Sequence, residues 1–297
     1  MRFKDSHHPW AMVTIVFWSL AYVLTRLALK HFTAFPLGFL RYLAASCALI
    51  VVLLVKKSAP PAKADWKWFC LSGAVGFFLY MIAFNKGCET VSSATGSVVL
   101  ATVPVLTALM ARFIHGETLR AYQWVAMAVE FAGVALLTLM DGVFSVNAGL
   151  LYLLGAVVLL STYNLLQRRL TKTYSGLQAS AYSVLTGTVM LAVFAPQAAV
   201  EAQTAAPIQL VYILALGVFS SAIAYVAWAN AFAKAEKASS VSNYMFVTPL
   251  LATLFGFLMA NEVPDRGTIL GGGVILLGVL LFNFGGALFR RAPGLSR

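Results

Sequence analysis

The sequence offers few of the groups that catalysis requires. Catalysis needs an activated nucleophile beside a base, paired carboxylates or a metal cluster. The long apolar segments contain one carboxylate, Glu130, and no histidine. The three cysteines have no C-x-x-C spacing, the four histidines form no metal-ligand pattern, and no G-x-x-x-x-G-K-[ST] phosphate loop occurs. We therefore predict no catalytic residues, no metal site and no cofactor.

The apolar segments instead carry aromatic and uncharged polar side chains suited to a binding cavity. Trp18 and Tyr22 are four residues apart, which places them on one helix face. Aromatic faces could stack on an aromatic side chain or hold an ammonium group, while Asn, Ser and Tyr could hydrogen-bond a carboxylate. The alternative is that these groups only join helices. The predicted substrate-binding residues are Trp18, Tyr22, Tyr80, Ser97, Tyr163, Asn164, Tyr225, Trp228, Ser242 and Asn243.

The composition requires that these segments lie in a membrane. Of the 297 residues, 61% are apolar and only 10% are charged, whereas about a quarter of a soluble domain is charged. A soluble enzyme and a disordered chain are both excluded. Ten apolar runs reach the length of about 20 residues that crosses a bilayer, so we predict an all-α integral membrane protein with ten transmembrane helices. The predicted spans are 10–30, 36–55, 66–86, 92–113, 122–140, 148–167, 176–196, 209–232, 240–260 and 268–289.

The positive charge is concentrated in the short connections between these spans. If both termini are cytoplasmic, 16 of the 21 Lys and Arg residues lie in cytoplasmic segments and only 3 lie in segments on the opposite side. This asymmetry is typical of inner-membrane proteins. We predict a multi-pass protein of the bacterial inner membrane with both termini in the cytoplasm. The net charge of +11 then sets the orientation, and we predict no nucleic-acid partner.

Three charged residues inside the spans are considered separately, because such residues are costly and often functional. Arg26 lies near the end of its span and can extend to the interface. Arg41 could receive a substrate carboxylate, although pairing with backbone carbonyls is the favoured interpretation. Glu130 could relay protons, although a neutral, hydrogen-bonded carboxyl is the favoured interpretation.

A shift of 145 residues aligns the two halves of the sequence without a gap. The aligned pairs include Asn85 with Asn230, Tyr80 with Tyr225, Pro104 with Pro249 and Glu117 with Glu262. We predict two repeats, residues 1–145 and 146–297, of five helices each. Because five is odd, the second repeat would cross the membrane in the inverted sense. Inverted repeats are typical of transporters that bind substrate between their halves.

Two patterns at this offset resemble the end of an EamA repeat of the drug/metabolite transporter superfamily. The first is Pro104, Gly116-Glu117 and Gly133-Val134, and the second is Pro249, Glu262, Gly271 and Gly278-Val279. The sequence departs from the pattern at Ala126, which aligns with Gly271, and at Asn261, where a glycine usually precedes the glutamate. The resemblance covers the whole chain, and the sequence is also similar to a bacterial exporter of aromatic amino acids. It implies ten helices in two inverted halves and the export of small metabolites.

We therefore predict a secondary transporter, not an enzyme, that exports neutral bulky amino acids or similar metabolites by alternating access. Uniport is the first mechanism and proton-coupled export the second, while a membrane-embedded enzyme is the alternative of a different class. Pro104 and Pro249 are the predicted hinges, because a proline removes one helical hydrogen bond and favours a bend. The expected partners are a small-molecule substrate and the lipid bilayer, and the protein is expected to be a monomer.

Overall fold

The computed structural model describes residues 6–115, 119–140, 148–234 and 243–290. Within these ranges every regular element is helical. Seven helical segments are long and apolar enough to cross a membrane, which confirms an all-helical membrane protein. These segments are His8–Ala28, Ala34–Val55, Lys63–Thr90, Ser93–Ile114, Ala148–Leu170, Gly176–Gln203 and Pro207–Ala231.

The other three predicted spans also fall on helices, of which Thr248–Ala260 is shorter than its predicted span of 240–260. We number the α-helices along the described part of the chain. They are α1 (His8–Ala28), α2 (Ala34–Val55), α3 (Trp66–Gly73), α4 (Tyr80–Thr90), α5 (Ser93–Leu100), α6 (Val103–His115), α7 (Ala121–Met140), α8 (Ala148–Leu170), α9 (Gly176–Leu191), α10 (Ala195–Gln203), α11 (Pro207–Leu214), α12 (Ala224–Lys234), α13 (Thr248–Ala260) and α14 (Arg266–Arg290).

Two π-helical segments, which the sequence pattern does not predict, lie inside the long apolar helices. Ala74–Leu79 joins α3 to α4, and Ala215–Ile223 joins α11 to α12. A shift of 145 residues moves the first segment to positions 219–224, which overlap the second segment at residues 219–223. Such segments carry an extra residue per turn and occur frequently at functional sites. Tyr80 follows directly after the first segment and Tyr225 lies two residues after the second, so each segment influences the direction of a predicted site residue.

Pro104 and Pro249 lie in the first turns of helices that follow a break, rather than inside continuous helices. α5 ends at Leu100 and α6 begins at Val103, while a 3-10 segment, Asn243–Val247, precedes α13. A proline in the first helical turn removes no intrahelical hydrogen bond. The fourth and ninth predicted spans are therefore interrupted in the described residues by a change of helix, and not by a proline kink.

Small residues and hydroxyl groups hold the helices together. α4 packs so closely on α8 that a Cβ on Gly87 would lie 2.5 Å from Cγ of Leu153. Ser46 of α2 and Thr188 of α9 share a hydrogen bond of 2.8 Å between their hydroxyl oxygens. Membrane helices associate through such close backbone approaches and interhelical hydrogen bonds, because lipid provides no hydrophobic driving force between them. The result is a core around α1, α2, α4, α8, α9 and α12.

Candidate functional site

Aromatic side chains from both halves of the sequence enclose a small cavity at the centre of this core. Its lining residues come from α1, α2, α4, α5, α8, α12, α13 and the 3-10 segment. They are Trp18, Ala21, Tyr22, Arg41, Tyr80, Phe84, Leu100, Leu160, Tyr225, Met245 and Thr248. The cavity has a volume of about 50 Å³, which is room for a few water molecules but not for an amino acid. In this structure the cavity is therefore too small to hold the predicted substrate.

Trp18 is the centre of the aromatic contacts on one side of the cavity. Its ring centroid lies 5.3 Å from that of Tyr225 and 5.0 Å from that of Trp228. Tyr225 in turn lies 6.3 Å from Tyr163 with nearly perpendicular rings, and 5.3 Å from Phe77. These separations are within the range in which aromatic pairs attract each other. The contacts join α1, α8 and α12 through a continuous set of rings.

A second group of rings, from α1 and α4, closes the other side. Phe84 lies 5.4 Å from Tyr22 with an edge contact and 5.7 Å from Tyr80 with nearly parallel rings. All three side chains are at least nine-tenths buried. Tyr22 and Tyr80 were predicted from sequence as binding residues, whereas Phe84 was not. Its spacing of four residues from Tyr80, which places both on one helix face, could have indicated it.

The π segment before Tyr80 makes room for Tyr163. A Cβ on Gly76 would lie 2.7 Å from Cγ and 2.9 Å from Cε2 of the Tyr163 ring. Such distances are shorter than carbon contacts allow, so only glycine fits here without movement of the ring. Tyr163 is 4% exposed and does not line the cavity itself. It supports the cavity by packing behind Phe77 and Tyr225.

Several predicted site residues lie away from the cavity or outside the described ranges. Ser97 is buried, and its hydroxyl donates to the Ala94 carbonyl at 2.7 Å within its own helix. The Asn164 amide lies 3.4 Å from the Thr107 hydroxyl and joins α8 to α6. Ser242 lies outside the described residues, and Asn243 begins the 3-10 segment. Of the predicted residues, the cavity lining contains Trp18, Tyr22, Tyr80 and Tyr225.

A sequence comparison identifies the family of this chain. The EamA-like transporter family matches it twice, over residues 6–139 and again over residues 147–284. The chain belongs to the EamA-like transporters. As the known members of this family that it matches are transporters, the protein is a membrane transporter and not an enzyme, in agreement with the sequence prediction.

Individual relatives have names that agree with this assignment. The transporter is 30% identical over 284 residues to the "Probable terminal-alkyne amino-acid exporter" of Streptantibioticus cattleyicolor, which covers 94% of each chain. It is 30% identical to the "Uncharacterized inner membrane transporter YedA" of Escherichia coli K12, which covers 94% of this chain and 90% of the relative. It is 29% identical to the "Uncharacterized transporter YdfC" of Bacillus subtilis, covering 90% and 87%.

The fold also occurs in a solved protein structure. A crystal structure matches the transporter with a TM-score of 0.64, covering 96% of this chain and 98% of the other at 18% sequence identity. At that identity the match concerns the fold alone.

Arg26 of the transporter forms an ion pair with a carboxylate. Its guanidinium forms an ion pair with Glu262, and it donates to the carbonyls of Cys88, at 3.1 Å, and of Val91. Glu262 also accepts a hydrogen bond of 2.8 Å from the backbone N–H of Ser93, at the start of α5. This arrangement joins α1 and α5 to the connection between α13 and α14.

Glu130 of the transporter lies outside the central cavity. It is 3% exposed, packs against Gly278 of α14, and lines a separate cavity of about 290 Å³ between α6, α7 and α8. Its neighbours there are mainly apolar, including Leu106, Met127 and Leu154. Its Oε1 atom has no hydrogen-bond partner among the described residues. The carboxyl group is thus placed away from the residues predicted to bind substrate.

Proposed function

We propose that this transporter exports neutral bulky amino acids, or similar small metabolites, by alternating access. The observation that carries the proposal is the central cavity, whose aromatic lining comes from both halves of the chain. Trp18, Tyr22 and Tyr80 belong to residues 1–145, and Tyr225 and Thr248 to residues 146–297. A site between two halves is accessible from either side of the membrane when the halves move against each other.

The underlying architecture that we infer is ten transmembrane helices in two inverted repeats, residues 1–145 and 146–297. The double match of the family over residues 6–139 and 147–284 supports it, as do the two π segments at corresponding positions. The excess of Lys and Arg in alternate connections supports cytoplasmic termini. The name of the Escherichia coli relative supports location in the inner membrane of a bacterium.

The chemistry of the cavity and the name of one relative support an amino-acid substrate. Four aromatic residues predicted from sequence line the cavity together with Phe84, and they suit an apolar or aromatic side chain. The relative from Streptantibioticus cattleyicolor is named as a probable exporter of a terminal-alkyne amino acid, which has an apolar side chain. A zwitterionic amino acid with an apolar side chain therefore fits both observations.

The mechanism that we favour is uniport with hinges at Pro104 and Pro249. A volume of about 50 Å³ excludes an amino acid, so the helices around the cavity must separate before substrate enters. The helix breaks in front of the two prolines leave fewer backbone hydrogen bonds to disrupt than a continuous helix does. Bending at these breaks would open the cavity on one side at a time, with the protein acting as a monomer.

A flux assay in liposomes tests this function. Purified protein is reconstituted, and the uptake of radiolabelled L-phenylalanine and a panel of other amino acids is compared with uptake by protein-free vesicles. We expect bulky neutral amino acids to equilibrate only when the protein is present. Replacing Trp18, Tyr80 or Tyr163 by Ala should reduce the flux, whereas Tyr152→Ala, at a position on α8 that is 45% exposed, should not. If no amino acid moves, the substrate class is wrong.

Proton-coupled export is the second candidate, and Glu130 is the observation that favours it. The Glu130 carboxyl group is almost fully buried, and one of its oxygens has no hydrogen-bond partner among the described residues. Such a group is a candidate proton carrier. With an imposed pH gradient, uniport gives equilibration without accumulation, whereas proton exchange drives the substrate above equilibrium. Accumulation that is abolished in Glu130→Gln would establish the second candidate in place of the first.

A further inference from the structure

Arg41 is the charged residue of the central cavity. It lies on α2, is 5% exposed, and lines the cavity together with the aromatic residues. Its Nε donates a hydrogen bond of 2.9 Å to the hydroxyl of Ser221. Its Nη1 has no hydrogen-bond partner among the described residues. One side of the guanidinium is thus fixed by the protein, while a second donor is left for another group.

The described residues provide no carboxylate for Arg41. Their ion pairs are Arg26 with Glu262 and Lys86 with Glu89, and the described lining of the cavity contains no acidic side chain. The Arg41 guanidinium also lies 5.7 Å from the centroid of the Tyr42 ring, but a buried charge without a carboxylate partner is strongly unfavourable in a membrane protein. Such a residue is therefore a candidate for binding an anionic group that is not part of the protein.

A hydroxyl group at the same cavity provides a second donor. Thr248, at the start of α13, is 6% exposed, and its Oγ1 also has no hydrogen-bond partner among the described residues. The other lining side chains are aromatic or aliphatic, apart from the tyrosine hydroxyls. Two unpartnered donors, one of them positively charged, favour an oxyanion as their ligand. A carboxylate has two oxygens that can accept hydrogen bonds from separate donors, and it pairs with guanidinium through charge-assisted hydrogen bonds.

The second π segment holds Arg41 in this position. Ser221, which accepts the hydrogen bond from Nε, lies within Ala215–Ile223. Gly217 of the same segment allows close approach of α2, since a Cβ there would lie 2.7 Å from the carbonyl oxygen of Arg41. The irregular helix therefore fixes both the backbone and the side chain of the arginine, as expected for a binding group rather than a mobile surface charge.

We propose that Arg41 binds the carboxylate of the transported molecule, with the Thr248 hydroxyl as a second donor. This inference rests on the proposed transport of amino acids and adds the group that is recognised. The substrate must then carry a carboxylate beside its bulky apolar part, whereas its ammonium group is not essential for binding. Aromatic amines that lack a carboxylate should accordingly bind more weakly than the carboxylates.

A binding measurement with three ligands tests this inference on the wild-type protein. The detergent-purified transporter is titrated with L-phenylalanine, 3-phenylpropanoate and 2-phenylethylamine, and tryptophan fluorescence is recorded because Trp18 lines the same cavity. We expect the first two ligands to bind and the amine to bind at least about tenfold more weakly, as for loss of one charge-assisted interaction. Equal binding of the amine and the amino acid overturns the inference, and so does absence of binding by both carboxylates.

Variants of Arg41 supply the second arm of the experiment. Arg41→Gln should weaken binding of 3-phenylpropanoate about 10- to 100-fold, and Arg41→Lys should retain part of the affinity. Arg266→Gln, which removes an exposed positive charge at the start of α14, is the matched control and should bind normally. Retention of wild-type affinity in Arg41→Gln overturns the inference. Carboxylate binding that depends on Arg41 without amino-acid flux in liposomes would instead refute only the proposed function.

Discussion

Replacement of Gly76 by alanine tests the role of the first π segment. The added Cβ would lie 2.7 Å from Cγ of Tyr163, about 1 Å inside the usual carbon–carbon separation of about 3.5–4.0 Å. Because Tyr163 is packed against Phe77, with ring centroids 5.1 Å apart, and against Tyr225, the ring cannot move without displacing a neighbour that lines the cavity.

The expected magnitude combines two opposing contributions. Overpacking a well-filled core costs about 1–3 kcal/mol, whereas glycine-to-alanine substitution in a helix stabilises by about 0.5–1 kcal/mol. We expect net destabilisation of about 1–2 kcal/mol for Gly76→Ala. Loss of one aromatic contact at the cavity is worth about 0.5–1.5 kcal/mol, which corresponds to about 2- to 12-fold weaker apparent affinity for substrate.

Thermal unfolding of the detergent-purified protein and substrate flux in liposomes measure the two effects. Gly155→Ala is the matched control, because a Cβ at this position of α8 meets no atom within 4 Å. It should leave flux unchanged and should not lower the thermal midpoint. If Gly76→Ala and Gly155→Ala behave alike in both measurements, the argument that the first π segment accommodates the Tyr163 ring is incorrect.

Three further substitutions address the cavity, the ion pair and the helix breaks. Tyr80→Ala should reduce the apparent affinity for L-phenylalanine in the flux assay. The control variant Tyr152→Ala should leave that affinity unchanged. Glu262→Gln weakens a partly buried ion pair and should destabilise the protein by about 1–2 kcal/mol, measured as a lower thermal midpoint; an unchanged midpoint contradicts this. Pro104→Ala and Pro249→Ala should lower turnover more than apparent affinity, because alanine allows the α-helix to continue across each break. Unchanged turnover in both variants would contradict the assignment of the two prolines as hinges.

The membrane class and the helices could be predicted from sequence because their signals are long and redundant. Ala148–Leu170 was predicted as 148–167, and Ala34–Val55 as 36–55. Apolar runs of about 20 residues leave few alternatives. The π segments at Ala74–Leu79 and Ala215–Ile223 could not be predicted in the same way, because one additional residue per turn does not alter the hydropathy of a segment that is apolar on all sides.

The cavity was only partly predictable for a related reason. Trp18 and Tyr22 share a face of one continuous α-helix, and spacing alone identifies them. The Ser97 hydroxyl bonds within its own helix, a local alternative that no sequence pattern distinguishes from substrate contact. That Nη1 of Arg41 lacks a hydrogen-bond partner could not be predicted from sequence, because it depends on which side chains surround the cavity. The described lining residues include no acidic side chain.

The π segments have a consequence for comparing this protein with its relatives. A π-helical turn holds about one residue more than an α-helical turn, so deleting a single residue from Ala74–Leu79 would restore regular α-helix while Tyr80 keeps nearly the same direction relative to α3. Helix length would change by only about 1.5 Å, which a membrane span tolerates readily. Single-residue gaps in an alignment of homologues are therefore expected to occur in these two segments, and each such gap would mark a transporter in which regular α-helix replaces a π segment beside the cavity.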